Sequence, residues 1–281
     1  MQSSNPVFTK NEAFNQPQQT GYTRQADPYG PYGDPSTWGT GAPVQQPSAG
    51  RMTIDSVVQK TGIVLGIIVA MAVVTWWYVG ATDVLGQPTS EAITRMTTAA
   101  MVGGVAAFAL SMVVSFKRAV SPGLVIAFAV AEGVALGAIS KSFDLIFPES
   151  GIITSAVIGT IAAFAGTLAA YKYFGIKVTD KFRRGVIAAG FGVVAMSLIF
   201  FVLSLFGISV GTFDSGLGLL MSVAGLVLGI FFLILDFDSI EQGIAYGADE
   251  KMSWMSAFGL ALSLVWIYTN LLRILAYFQN D

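Results

Sequence analysis

Residues 216–235 read GLGLLMSVAGLVLGIFFLIL, an apolar run without a single charged side chain. A helix rises about 1.5 Å per residue, so about 20 such residues cross the hydrocarbon core of a bilayer. Six more runs of similar length and polarity occur along the chain. The sequence therefore predicts an all-α polytopic membrane protein with seven transmembrane helices. The predicted spans are residues 62–79, 94–116, 123–140, 152–174, 186–208, 216–235 and 254–278.

The composition agrees with this class and excludes several kinds of chemistry. Hydrophobic residues make up 54% and charged residues 11% of the chain, which leaves too little polar surface for a soluble fold. The chain has no cysteine and no histidine, so disulfides, thiol nucleophiles and imidazole bases or metal ligands are excluded. The net charge of −2 without a basic stripe argues against a nucleic-acid partner. We expect no cofactor, no enzymatic activity, and the lipid bilayer as the main partner.

Residues 1–55 differ in composition from the rest of the chain. They are rich in Gly, Pro, Gln, Ser and Tyr without apolar periodicity, and they predict a disordered cytoplasmic tail. No charged start is followed by an apolar run, so we do not expect this segment to be a cleaved signal peptide. The alternative is a docking segment rich in tyrosine and proline. Residues 56–281 are predicted to form the seven-helix transmembrane domain.

The Lys and Arg residues indicate the orientation of the spans. With a cytoplasmic N-terminus, all of them lie on the cytoplasmic side except Arg95, Lys141 and Arg273, and such an excess is typical of cytoplasmic loops. We therefore expect a multi-pass protein of the cell membrane, with its N-terminus in the cytoplasm and its C-terminus outside.

Glycine pairs at four-residue spacing occur in three of the predicted spans. Such pairs let helix backbones approach closely, because a bilayer gives helices little hydrophobic reason to associate. The sequence therefore predicts tight helix packing at these positions, and the alternative is that they are gating hinges. The pairs are Gly62 with Gly66, Gly133 with Gly137, and Gly225 with Gly229.

Glu132 lies near the middle of the third span, within AFAVAEGVALGAIS at residues 127–140. An ionised carboxylate is costly in the hydrocarbon core, so we expect this side chain to be protonated, paired or in contact with water. Two interpretations remain open. The carboxyl group either forms a structural hydrogen bond to a neighbouring helix or belongs to an ion- or proton-linked site.

Three acids, Asp236, Asp238 and Glu241, lie where the sixth span ends, in LILDFDSIEQG at residues 233–243. On a helix, Asp238 and Glu241 share a face from which Asp236 points away. Acids at a helix C-terminus oppose the macrodipole, and carboxylate oxygens are the ligands that calcium prefers. The cluster is therefore either a solvated helix end or part of an ion site completed by other helices. In the second case calcium would be the bound or permeant ion at Asp236.

The seventh span carries two further polar candidates, which we expect to surround the acidic residues. Arg273 either extends to the membrane interface or pairs with an acid of another span. Asn270, one turn earlier, is predicted to form a hydrogen bond between helices.

Three motifs occur together in this chain: AEGVALGAIS in the third span, LDFDSIEQG at the end of the sixth, and ALSLVWIYTNLLRIL in the seventh. With them the chain resembles the Bax inhibitor-1 (transmembrane BAX inhibitor motif) family over about residues 1–281. It is most similar to a bacterial branch with a Pro/Gly-rich tail and an opening SSNPVF. The resemblance implies a bundle with a central seventh helix. It also implies a pH-sensitive calcium leak, opened under the control of two aspartates on the sixth and seventh spans.

The resemblance carries over to this chain only in part. Asp236 matches the aspartate of the sixth span, four residues before an isoleucine. The aspartate of the seventh span is expected ten residues before Arg273, and that position is Ser263. Some bacterial members carry a glutamate in the second span. It would fall near Gly104, and this chain has no glutamate there. The pair of aspartates is therefore absent, and Glu132 is the remaining acid able to approach the sixth span. Any leak is expected to respond more weakly to pH.

Two functions compete. The first is a passive cation pathway, with calcium as the favoured ion, gated by protonation of Asp236 and its neighbours. The second is a membrane protein without transport activity that binds and modulates a partner such as a membrane protease, through the tail or the basic loop at residues 172–184. An intramembrane enzyme is the weakest interpretation. An aspartyl protease would need two facing acids, for which the candidates are Glu132 and Asp236.

Overall fold

The computed structural model describes residues 50–80, 89–117, 121–148, 150–206 and 216–279. Within these residues the chain forms seven helices, each long and apolar enough to cross a membrane, so the predicted fold class is confirmed. In chain order they are α1 (Ile54–Val79), α2 (Ser90–Phe116), α3 (Pro122–Ile146), α4 (Ile152–Phe174), α5 (Asp180–Leu205), α6 (Gly216–Ala245) and α7 (Met252–Gln279).

The helices extend beyond the predicted spans at their polar ends. α1 begins at Ile54 rather than at residue 62, and α6 ends at Ala245 rather than at residue 235. Hydropathy marks only the part of a helix that lies in hydrocarbon, whereas the helix itself continues into the interface. The LDFDSIEQG motif therefore lies in the last turns of α6 and not beyond the helix. Residue 208, the predicted end of the fifth span, lies outside the described residues.

The first described residues correct the predicted boundary of the tail. The Met52 N–H donates to the Ala248 carbonyl at 2.8 Å, and the Glu250 N–H donates to the Gly50 carbonyl at 2.8 Å. The Met52 side chain is only 4% exposed. Residues 50–55 are therefore ordered, because the backbone of the α6–α7 loop pairs with them and the bundle buries Met52. The remainder of the predicted tail lies outside the described residues.

Polar contacts between the helices establish their directions. α1 and α7 begin side by side, since the Ser56 and Ser253 hydroxyls lie 2.7 Å apart. α1 and α3 end side by side, since the Lys141 ammonium lies 4.6 Å from the centroid of the Trp76 ring. We call the end at which α1 begins the tail end and the opposite end the far end. α1, α3 and α7 thus run in parallel from the tail end to the far end.

α7 is central to the packing of the bundle. It contacts α1, α3, α4 and α6, and α3 in turn packs against α1 and α2. About half of the most apolar segment is buried inside the protein in both α3 and α7, but only 6% of it in α5. The central seventh helix implied by the family resemblance is therefore present, and α3 shares this role.

Two of the three predicted glycine pairs lie at helix contacts. The pair in α3 packs against the backbone of α1, and the pair in α6 packs against side chains of α7. A Cβ atom at Gly133 would lie 2.5 Å from the Ile68 carbonyl oxygen, so a larger residue would push α1 away. The pair Gly62 and Gly66 was predicted wrongly, because a Cβ atom at either position meets nothing within 4 Å among the described residues.

Candidate functional site

Asp236 lies at the contact between α6 and α7. The Ser263 hydroxyl of α7 donates a hydrogen bond of 2.6 Å to Asp236 Oδ2. The other oxygen, Oδ1, lies beside Gly259, where a Cβ atom would approach it to 3.1 Å. Gly259 and Ser263 are four residues apart and share one face of α7. The structure thus brings Asp236 together with position 263, and presents a hydroxyl where the family resemblance implies a second carboxylate.

Asp236 also lines a cavity of about 280 Å³ at the tail end of the bundle, between α6 and α7. Met52, another lining residue, covers part of this cavity from the tail end. Its Sδ atom would lie 3.2 Å from a Cβ atom placed at Gly243 on α6. The Asp236 carboxylate therefore borders a partly covered space between α6 and α7. Other side chains that line this cavity are Ser239, Ser256, Met252, Met255 and Phe258.

Polar contacts fasten the start of α1 to the α6–α7 loop beside this cavity. The Lys60 ammonium donates to Glu250 Oε1 at 2.9 Å and to the Glu250 carbonyl at 3.1 Å. Ser253, whose hydroxyl lies 2.7 Å from that of Ser56, is fully buried. The sequence contains no pattern that indicates these contacts, because they join segments from opposite ends of the domain.

The other two acids of the motif point toward different helices. Asp238 accepts a hydrogen bond of 2.5 Å from the Arg183 guanidinium of α5, and Glu241 accepts one of 2.6 Å from the Tyr171 hydroxyl of α4. α6 continues beyond both acids to Ala245, and each acid has its own partner helix. Among the described residues, no three His, Cys, Asp or Glu side chains are placed to hold a metal ion together.

Glu132 lies on the side of α3 that faces α7. Four residues before it, the Phe128 ring packs edge-on against Phe258 of α7, with 4.9 Å between the centroids. Eight residues after it, the Ser140 hydroxyl lies 2.7 Å from the Tyr268 hydroxyl. The described residues supply no hydrogen-bond partner to the Glu132 carboxyl group. The structural hydrogen bond, one of the two interpretations left open by the sequence, is therefore not formed with them.

Glu132 and Asp236 flank α7 at a similar level. Along α3, Glu132 lies one third of the way from Phe128 to Ser140, which contact Phe258 and Tyr268 of α7. The corresponding level on α7 is about residue 261. Asp236 contacts Gly259 and Ser263, on either side of that level. Successive helical residues are rotated by about 100°, so these positions lie on the opposite face of α7 from residue 261. α7 therefore stands between the two acids, and they do not form a facing pair.

One of the two polar candidates of α7, Asn270, makes a different contact from the one predicted. The Asn270 side chain donates to the Trp266 carbonyl of its own helix at 2.8 Å, and so does not make the predicted bond between helices. A hydrogen bond between α6 and α7 is made instead by the Trp266 indole, which donates to the Gly225 carbonyl of α6 at 2.8 Å. An indole N–H usually finds an acceptor when buried, and this is the sequence signal that could have indicated it. Arg273 lies on an exposed part of α7.

The seven apolar helices, with an acid at an internal cavity, define a polytopic helical membrane protein. The chain belongs to the Bax inhibitor 1 like family, whose model matches residues 5–280 and therefore nearly the whole sequence. The resemblance suggested by the three motifs is thereby confirmed. A comparison with individually curated proteins finds no match.

Proposed function

We propose that the protein forms a passive pathway for cations, with calcium as the favoured ion, and that Asp236 controls the flow. The observation that carries the proposal is a carboxylate at the wall of a cavity within a membrane-spanning bundle. Acids at membrane depth are costly, and those that border a cavity typically mark an ion or proton route. Carboxylate and other oxygen ligands suit calcium, and Asp236 and Ser263 offer a carboxylate beside a hydroxyl.

In this proposal the described conformation is closed. On the far side of Asp236, Leu233, Leu264 and Ile267 are buried in one apolar cluster. A hydrated ion cannot enter such a layer without losing its hydration shell, and apolar constrictions of this kind gate channels. Opening requires α6 and α7 to separate at this layer. The hydrogen bond from Ser263 to Asp236 opposes that separation, so it stabilises the closed form.

The charge of Asp236 gives the pathway its dependence on pH. The ionised carboxylate attracts a cation into the cavity, whereas the protonated form does not. Flux should therefore fall as the pH is lowered and Asp236 takes up a proton.

The test is calcium flux into liposomes that contain the purified full-length protein, measured across a pH series. Asp236→Asn keeps the size of the side chain and removes its charge. We expect it to lower the flux by about tenfold or more, which corresponds to about 1.4 kcal/mol in the barrier. The residual flux should no longer depend on pH.

Asp238→Asn is the matched control, because it makes the same change two residues away, on the side of α6 that faces Arg183. Its flux should stay close to that of the parent once the folded fraction is equal. Equal flux from the parent and both variants would remove Asp236 from the gate. No flux from a folded parent would favour a membrane protein that modulates a partner.

A further inference from the structure

A cleft of about 760 Å³ opens sideways between α1 and α4, and α3 and α7 form its floor. Its rim is apolar and exposed, with Val69 and Val73 on α1 facing Val157 and Ile161 on α4. All four helices are long and apolar enough to span a membrane, so the cleft opens into the hydrocarbon region of the bilayer. An occupant at that depth has to be apolar, because unpaired polar groups are costly in hydrocarbon.

At the far end of the cleft, the lining residue Asp144 forms an ion pair with Lys141, which lies just outside the lining. The Lys141 ammonium donates to Asp144 Oδ2 at 2.8 Å and lies 4.6 Å from the centroid of the Trp76 ring. Asp144, Trp76 and Trp77 all line the cleft. Tryptophan is typical of the membrane interface, so this end of the cleft lies at the level of lipid headgroups.

We propose that the cleft binds an acyl chain of a phospholipid whose headgroup carries both a primary amine and a phosphate, as in phosphatidylethanolamine. The amine would bind to Asp144 Oδ1, which has no partner among the described residues. The phosphate would bind to Lys141, since an ammonium group has three donors and Asp144 uses one of them. The volume of the cleft lies within the range of about 300–1,000 Å³ that is usual for small-molecule sites.

The charge of this end favours a zwitterionic headgroup over an anionic one. Lys141 and Asp144 together carry no net charge, so they complement a headgroup that also carries one charge of each sign. One turn or less below them, the Ser140 and Tyr268 hydroxyls bond to each other and line the cleft. One of these two hydroxyls keeps a proton for another acceptor. An ester carbonyl of a phospholipid lies just below the headgroup and is such an acceptor.

The test uses two probes that carry the same photoreactive diazirine in one acyl chain and differ only in headgroup, phosphatidylethanolamine or phosphatidylglycerol. Each is added in trace amounts to liposomes that contain the full-length protein, and the labelled residues are mapped by mass spectrometry. We expect the phosphatidylethanolamine probe to label the cleft around Val157 and Ile161 well above Phe191, an exposed residue of α5. The phosphatidylglycerol probe should label the two regions equally.

Three substitutions make the test decisive. Val157→Trp fills the cleft and should lower its labelling by about tenfold, equal to about 1.4 kcal/mol of binding. The matched control is Ile158→Trp, at the next position of α4, which is exposed but does not line the cleft and should leave labelling unchanged. Asp144→Asn leaves Lys141 without its carboxylate and should reverse the preference toward phosphatidylglycerol.

Three results would overturn the proposal. The first is equal labelling of the cleft and of α5 by both probes, which would indicate bulk lipid only. The second is a Val157→Trp variant that labels like the parent. The third is cleft labelling that disappears when the protein is packed more densely in the liposomes, which would make a second copy the occupant. Because the readout is labelling and not flux, its outcome is independent of the proposed ion pathway.

Discussion

The two spaces beside α7 differ in size and in the helices that border them. The cavity at the tail end holds about 280 Å³, is partly covered by Met52 and is lined by Asp236. The cleft toward the far end holds about 760 Å³, opens sideways and is lined mainly by apolar side chains. One apolar cluster lies between them, since Met52 borders the cavity and Leu264 borders the cleft, and both belong to it.

The difference follows from what borders each space. The cavity lies between α6 and α7, with Met52 beside it and Asp236 in its wall. The rim of the cleft consists of exposed apolar side chains of α1 and α4, which suit contact with lipid. α7 serves both, with Gly259 and Ser263 toward Asp236 and with Tyr268 toward the cleft. The bundle thus keeps the cavity at Asp236 and the cleft apart with one apolar cluster.

The largest effect on stability is expected where α3 forms the floor of the cleft. A Cβ atom at Gly137 would collide with the Ala72 carbonyl and Cα of α1, so Gly137→Leu forces α1 and α3 apart. Overpacking of this kind costs about 3 kcal/mol when backbone atoms must move. We expect a clearly lower thermal transition of the detergent-purified protein and loss of the lipid preference at the cleft.

Gly66→Leu is the matched control, since it makes the same change on α1 where nothing lies within 4 Å. Its effect should stay within about 0.5 kcal/mol, as is usual for surface positions. Equal transitions for the two variants would show that the close approach of α1 and α3 is not needed for stability.

A smaller effect, on the pH dependence of the flux, is expected from a substitution at the wall of the cavity. Ser263→Asp places a second carboxyl group against Asp236, and two carboxylates about 3 Å apart cannot both ionise. The pair would share a proton and titrate as a unit, so the flux proposed above should respond more steeply to pH than in the parent. Ser263→Asn has the size of aspartate without its charge and should not steepen the response. Identical pH profiles for both variants would show that position 263 does not act on the gate.

The fold could be predicted from the sequence because the bilayer imposes a strong local rule. Each span must be a long apolar helix, and that property is visible in any single stretch such as residues 216–235. The contact of Asp236 with Ser263 was also within reach, but only through the family motif, since no pattern in this chain alone relates the two positions.

The contacts that close the cavity could not be predicted in the same way. Met52 pairs with Ala248 and Lys60 with Glu250, and hydropathy along a chain carries no information on which distant segments meet. Glycine spacing failed for a related reason. It indicates where a helix permits close approach, but at Gly62 and Gly66 the described residues place no partner.

The smallest effect on membrane insertion and thermal stability is expected from removal of residues 1–49. Their composition offers no apolar face whose burial could offset the entropy of ordering them. A chain that begins at Gly50 should therefore insert into membranes and melt like the parent.

A chain that also lacks residues 50–53 loses the buried Met52 side chain and the Thr53 cap of α1, where the Ser56 N–H donates to Thr53 Oγ1 at 3.1 Å. Cap and side chain together contribute about 2 kcal/mol or more, so this second truncation should melt earlier and, with its cavity uncovered, should conduct more. The comparison needs only thermal transitions and liposome flux of the two truncated chains. A large loss of stability in the first would show that the tail packs on the bundle, and equal behaviour of the two would show that residues 50–53 do not close the cavity.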